Sequence, residues 1–206
     1  MIVKLCIVCI GLCLTVYAAP SSILERTLPG LRHPLTQPAD VSELQAELLS
    51  MQREDQRVRH IALTEGNLDL IREVDQKHSL RLKEIIAEFG WPRITLVGLQ
   101  GSQAMWLLVQ HQEGDFQKEC LPFLKDAVEK QEAFFLHYAY LLDRVCMYEN
   151  EPQVYGTQWV SIEDEMTMYP VRDPEFLAER RVEAGMSSIE EYSKQIRSIY
   201  GAAKRS

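Results

Sequence analysis

The sequence predicts a mainly α-helical protein, a helical bundle around one buried central helix, with a small β-hairpin near the C-terminus. Three observations carry that expectation. Apolar residues recur at helical spacing through most of residues 41–148. Ala104-Met105-Trp106-Leu107-Leu108-Val109 is apolar all round, the pattern of a helix covered on every side. Beyond Pro152 the composition turns to β-branched and aromatic residues, which favour strands.

At the start of the chain Lys4 precedes the apolar run from Leu5 to Val16, which leads into Tyr17-Ala18-Ala19-Pro20. One basic residue, an apolar stretch and small residues at its exit read as a secretory signal peptide over residues 1–18. The run is shorter than the roughly 20 residues that span a bilayer. Cleavage is expected after Ala18, and the product is expected to be secreted or periplasmic, with no stable membrane anchor in the mature chain. That leaves 188 residues with 21 basic and 30 acidic side chains, a net charge of −9. A chain so acidic, with no basic tract beyond Lys204-Arg205, has no electrostatic footprint for nucleic acid. Of five cysteines, Cys120 and Cys146 remain, either as buried thiols or, in an exported protein, as a pair.

Pro20, Pro29, Pro34 and Pro38 mark residues 19–40 as a linker. A single domain is expected over residues 41–206. Its first helix is capped by Asp40 or Ser42 and carries Val41, Leu44, Leu48, Met51, Val58 and Ala62 as its stripe. A second follows Gly66, with Ile71, Val74, Leu82, Ile85 and Phe89 on one face; Gly90-Trp91-Pro92 ends it, since Gly takes the capping conformation and Pro blocks continuation. The third runs from Gly98 to His111, with Ser102 near its start as the expected cap. Asp115 is expected to cap a fourth, which Pro122 should kink or divide. The fifth covers Ala133 to Tyr148. Val154 to Val160 and Thr167 to Val171 read as the two strands. Asp173-Pro174 opens a helix that stops at Gly185, and Ser188 with Glu191 forms a capping box for the last one.

Polar residues on apolar stripes are the candidates for function, because a buried charge needs a partner. Asp55 stands on the first stripe between Met51 and Val58, with Arg59 one turn on as its natural partner. His78 occupies the same kind of place between Val74 and Leu82, with Asp75 three residues before it. His111 lies on the face of Ala104 and Leu108. Asp143 is in line with Leu136, Ala139 and Met147, next to Arg144. Such local inconsistencies tend to mark functional sites. No nucleophile elbow, P-loop, dinucleotide fingerprint or HExxH is present. His60, His78, His111 and His137 with Asp55 could in principle bind a metal, but their spacing is not diagnostic, so no metal and no cofactor is assigned.

Several segments resemble a bacterial family of uncharacterised proteins, a domain of unknown function. They are Glu54-Asp55-Gln56 with Arg59, GWP at 90–92, WLLVQH at 106–111, Asp143-Arg144-Val145, PQxYGTQ at 152–158, and Glu179-Arg180-Arg181. The likeness covers nearly all of residues 43–192. It implies a family pattern that includes Asp55, Gln56, Arg59, His111, Asp143, Arg144, Gln153, Tyr155 and Gln158, but no reaction. Pro122 and His78 depart from that pattern, which leaves any family role for His78 open. The leading expectation is an exported enzyme or small-molecule-binding protein. In it His111 is the acid/base and Asp55 orients it, Arg59 or Arg144 holds an anionic group, and Asp143, Tyr155, Gln153 and Gln158 complete the binding site. The alternative is a non-catalytic helical interaction module in which the buried pairs only fix helix register.

Overall fold

The computed structural model describes residues 43–203 apart from Asp164, with side chains described as far as Tyr200. The expected signal peptide, the linker and the cap at Asp40 or Ser42 lie outside the described residues. The described chain forms α1 (Glu43–Glu65), α2 (Asp69–Phe89), α3 (Ile94–Gln110), α4 (Gly114–Glu129), α5 (Phe135–Tyr148), β1 (Trp159–Ile162), β2 (Glu165–Met168), a single 3-10 turn (Pro174–Phe176), α6 (Leu177–Glu183) and α7 (Ile189–Ala203). The mainly α class with one small antiparallel hairpin is the one the periodicity predicts. Contacts divide the expected domain into two compact units, with the boundary after Ala133. No helix among the described residues is long and apolar enough to cross a membrane.

In the first unit α3 packs against α1 and α4, and α1 against α2. Every residue of α3 from Ala104 to Gln110 is buried, as its uniformly apolar run requires. Gly98 breaks α3 with φ +65° and ψ 175°, so the continuous helix starts where Gly98 predicts and Ile94–Val97 is a separate preceding turn. Ser102 is therefore inside the helix and not at its cap; it is fully buried and its Oγ meets no protein partner. The buried face of α1 is Gln45, Leu48, Met51, Asp55, Arg59 and Ala62, so Arg59 takes the place expected for Val58. Phe89 is 39% exposed, a correction to its place on the α2 stripe, because the buried face closes at Ile86 one turn earlier. Gly90 caps α2 at φ +65°, its N–H donating to the Ile86 carbonyl.

The expected cap at Asp115 fails: the cap position is Glu113, with Asp115 inside the first turn. Of the two outcomes expected at Pro122, division of the helix does not occur. Pro122 sits on the exposed face, where water substitutes for the amide that proline lacks.

In the second unit the strands are displaced from their expected positions. Trp159 pairs with Met168 and Ile162 with Glu165, so residues 154–158 form no strand; the reason is the environment of Asp143 described below. Trp159 and Met166 join Tyr192 and Ile196 of α7 in an apolar cluster. Pro174 opens the 3-10 turn, but Asp173 makes no side-chain cap. The Glu191 N–H donates to Ser188 Oγ at 3.2 Å, which realises one half of the expected capping box.

Candidate functional site

The first unit brings Asp55, Arg59 and His111 together. Asp55 and Arg59 are four residues apart on α1, so both face the same way, and Arg59 Nε donates to Asp55 Oδ1 at 3.0 Å. His111 caps α3 at its C-terminal end, where the helix delivers it to the same point. Its Nδ1 lies 3.0 and 2.9 Å from the two Asp55 oxygens and 2.9 Å from Arg59 Nε. The carboxylate, with two oxygens in reach, is the stronger partner for Nδ1. This assigns the ring proton to Nδ1, donated to Asp55, and places the basic lone pair on Nε2. Gln56 adds an N–H to Asp55 Oδ2 at 2.8 Å. The Asp55 and His111 side chains are 1% and 2% exposed, so this is an interior centre.

Arg59 also reaches Asp75 on α2, a residue the sequence presents only as a neighbour of His78. Burial pushes the Asp55 carboxyl up, but His111, Arg59 and Gln56 together draw it below its ordinary value. Burial holds the His111 ring below the usual imidazole range; Asp55 pulls it back only in part, and Arg59 and His78 add to the depression. The centre at neutral pH is thus an ionised Asp55 and a neutral imidazole. For Asp75 burial dominates: it pushes the carboxyl up to about 7, Arg59 opposing and the Asp55 charge assisting.

The folded protein therefore holds the Asp75 proton more tightly than the unfolded chain does. That stabilisation is complete below about pH 4, the unfolded carboxylate value, and is lost as pH rises through the folded value of about 7. Asp75→Asn should flatten the fall in melting temperature between about pH 4 and pH 7. Equal falls in both proteins would show that another group titrates there.

Asp143, Gln153, Tyr155 and Gln158 fall in the second unit and form a network of their own. Asp143 on α5 is fully buried. It accepts from the N–H groups of Val154, Tyr155 and Thr157 at 2.7–3.1 Å and from Thr157 Oγ1 at 2.9 Å. Burial still holds its carboxyl above the ordinary range against these donors. These bonds take the amides a strand would have used, which is why residues 154–158 form no strand and the hairpin begins at Trp159. Gln153 bridges the same loop: Nε2 donates to the carbonyls of Gln158 and Tyr169, and Oε1 accepts the Gln158 N–H. Gln158 Nε2 donates to Thr157 Oγ1 at 3.0 Å. The Tyr155 ring meets Phe135 edge-on, with 5.9 Å between centroids. Arg144 follows Asp143 on α5 and is half-buried.

Two arginines that enter the sequence reading only as part of a motif close this loop from outside. Arg180 donates to the carbonyls of Val154, Arg172 and Asp173, and Arg181 to those of Tyr155 and Ser187. The signal for them was present in the Glu179-Arg180-Arg181 segment, but a helix surface is the ordinary place for adjacent arginines. Among the described residues Cys120 and Cys146 are free thiols, and burial pushes that of Cys120 up to about 12. Among the described residues no three His, Cys, Asp or Glu side chains form a group able to hold a metal ion.

Fold and site define a small, mainly α-helical protein built around a buried carboxylate–imidazole–guanidinium centre and a carboxylate-held loop. The chain belongs to a family of unknown function, DUF6624, whose sequence profile matches residues 42–205. No curated protein and no solved structure matches it.

Proposed function

We infer that the protein is an enzyme or enzyme-like binder of a small polar molecule, in which His111 handles a proton. The observation that carries this reading is the placement of His111 Nδ1 within 3.0 Å of both Asp55 oxygens. A carboxylate that fixes the Nδ1–H tautomer orients the ring and leaves Nε2 as the base. Arg59 gives its N–H groups to Asp55 and Asp75, which supports a positioning role for it more than the binding of a substrate anion. The acidic net charge of −8 supports a ligand that is not a nucleic acid.

The burial of these side chains favours a second reading, in which the ion network only locks α1, α2 and the end of α3 in register. A screen of small polar compounds against the full chain separates the two, with binding measured by titration calorimetry and the His111 ring resonances reporting its place wherever that ring is present. A ligand of the proposed centre should perturb these resonances in wild type and in the surface variant Leu80→Ser, and its binding should be lost in His111→Ala. Leu80 is 70% exposed, so its replacement tests only general disturbance. Binding that survives His111→Ala combined with Asp55→Asn would overturn the proposal.

Residues 1–20 support export as part of the same reading. The mass of the protein recovered from an exporting host should then lack residues 1–18; an intact chain retained inside the cell would refute it.

A further inference from the structure

Arg59 divides one edge of its guanidinium between two carboxylates. Its Nε donates to Asp55 Oδ1 at 3.0 Å, and its Nη2 donates to Asp75 on α2. Two adjacent guanidinium nitrogens match the two oxygens of a single carboxylate, and such a pair is commonly bidentate. Here Asp55 gives Arg59 one oxygen only. The other, Oδ2, accepts from Gln56 Nε2 at 2.8 Å and is the nearer Asp55 oxygen to His111 Nδ1, at 2.9 against 3.0 Å. Asp55 and Arg59 share α1 while Asp75 comes from α2, so this division depends on how the two helices pack.

We propose that Asp75 is a positioning residue of this centre: by holding Arg59 Nη2 it keeps Arg59 from closing on both Asp55 oxygens, and so keeps Asp55 as the acceptor that fixes the His111 tautomer. The proposal rests on the reading of Asp55 and His111 as an oriented acid–base pair. A buried N–H needs an acceptor, so without Asp75 the freed Nη2 turns to Asp55 Oδ2 and completes the bidentate pair. The Nδ1–H of His111 then competes with both guanidinium nitrogens for the same two oxygens. Arg59 Nε, 2.9 Å from Nδ1, favours a lone pair facing it. Nδ1 gives up its proton and Nε2 gains one, the ring staying neutral, and the nitrogen that would act as the base is blocked. The Asp75 side chain is 22% exposed, against 1% for Asp55 and 2% for His111, so replacing it disturbs the interior less than replacing either of them.

Nitrogen-15 NMR of the His111 ring in the full chain, at about pH 8 where Asp75 is ionised, tests the proposal. Wild type should show Nδ1 protonated and Nε2 bare. In Asp75→Ala the two nitrogen signals should exchange character, with the Nε2–H form becoming the major one. Asp75→Glu, which keeps a carboxylate for Arg59, should leave the ring in the Nδ1–H form. Asp75→Asn keeps the shape of the side chain without its charge and stands in where Asp75→Ala does not fold; it should raise the Nε2–H share above that of wild type. An unchanged ring in Asp75→Ala, or in Asp75→Asn where that variant stands in, overturns the proposal. So does an exchange that Asp75→Glu shows equally, since general disturbance would then explain it. A wild-type ring already in the Nε2–H form would sink the Asp55–His111 reading itself, and the wild-type spectrum thus separates the two failures.

Discussion

Asp55→Ala is expected to destabilise the α1–α4 unit by about 3–5 kcal/mol, the usual cost of breaking a buried ion pair by removing one partner. Asp55 is fully buried and accepts from Arg59, His111 and Gln56 at 2.8–3.0 Å. Its loss leaves the Nδ1–H of His111 without its acceptor and Arg59 with Asp75 alone. Total domain stability is about 5–15 kcal/mol, so the variant should show a large fall in denaturation midpoint. The pH dependence identifies the cause. The folded-state value of Asp55 lies below the ordinary one, so its contribution is complete above about pH 4 and lost as pH falls through the folded value. The gap between wild type and variant should hold steady through neutral pH and narrow in acid. A gap of under about 1 kcal/mol at neutral pH would place this ion network among surface-like pairs and remove the basis for a preorganised His111.

Asp143→Ala should cost about as much, roughly 3–5 kcal/mol, for a different reason. Three backbone amides and one hydroxyl of residues 154–157 converge on this carboxylate, and each buried donor left without an acceptor costs about 1–3 kcal/mol. Some of that is recovered where the released loop reaches water. Limited proteolysis under native conditions should find residues 153–158 the new first cleavage site, with Arg180 and Arg181 no longer able to clamp it. The pH sign is opposite to that of Asp55. Burial holds the Asp143 carboxyl above its ordinary value, so its contribution is greatest in acid and declines as pH rises through the folded value. A variant that keeps wild-type stability and an intact loop would show that Arg180, Arg181 and Gln153 hold the loop by themselves.

The two carboxylates also show which parts of the site were legible in sequence. Asp55 and Arg59 were paired correctly because helical spacing places residues four apart on one face, a purely local rule. His111 and Asp143 were marked as breaks in apolar stripes for the same reason. The rule identifies a buried polar group but is silent on its partner. It assigned Asp143 no contact with residues 154–157, and the strand expected there was misplaced because β-propensity takes no account of a carboxylate that draws off three amides. Asp75 was passed over because a half-buried acid on a helix is unremarkable until a guanidinium from another helix reaches it.

What the sequence alone determined is the mainly α class, the near-complete set of helices, the all-apolar α3, the stops at Gly90 and Gly185, and some of the positions, Asp55, His78, His111 and Asp143 among them, at which polar groups enter the interior. Each of these follows from backbone preference or from hydrophobic periodicity over a few turns. Only the tertiary structure decided that His111 meets Asp55 across 56 residues of chain, that Arg59 joins Asp75 and His111 to one centre, and that Asp143 holds a loop instead of facing a strand. Hydrogen bonds are directional over about 3 Å, and which donors come within that distance depends on how helices distant in sequence pack.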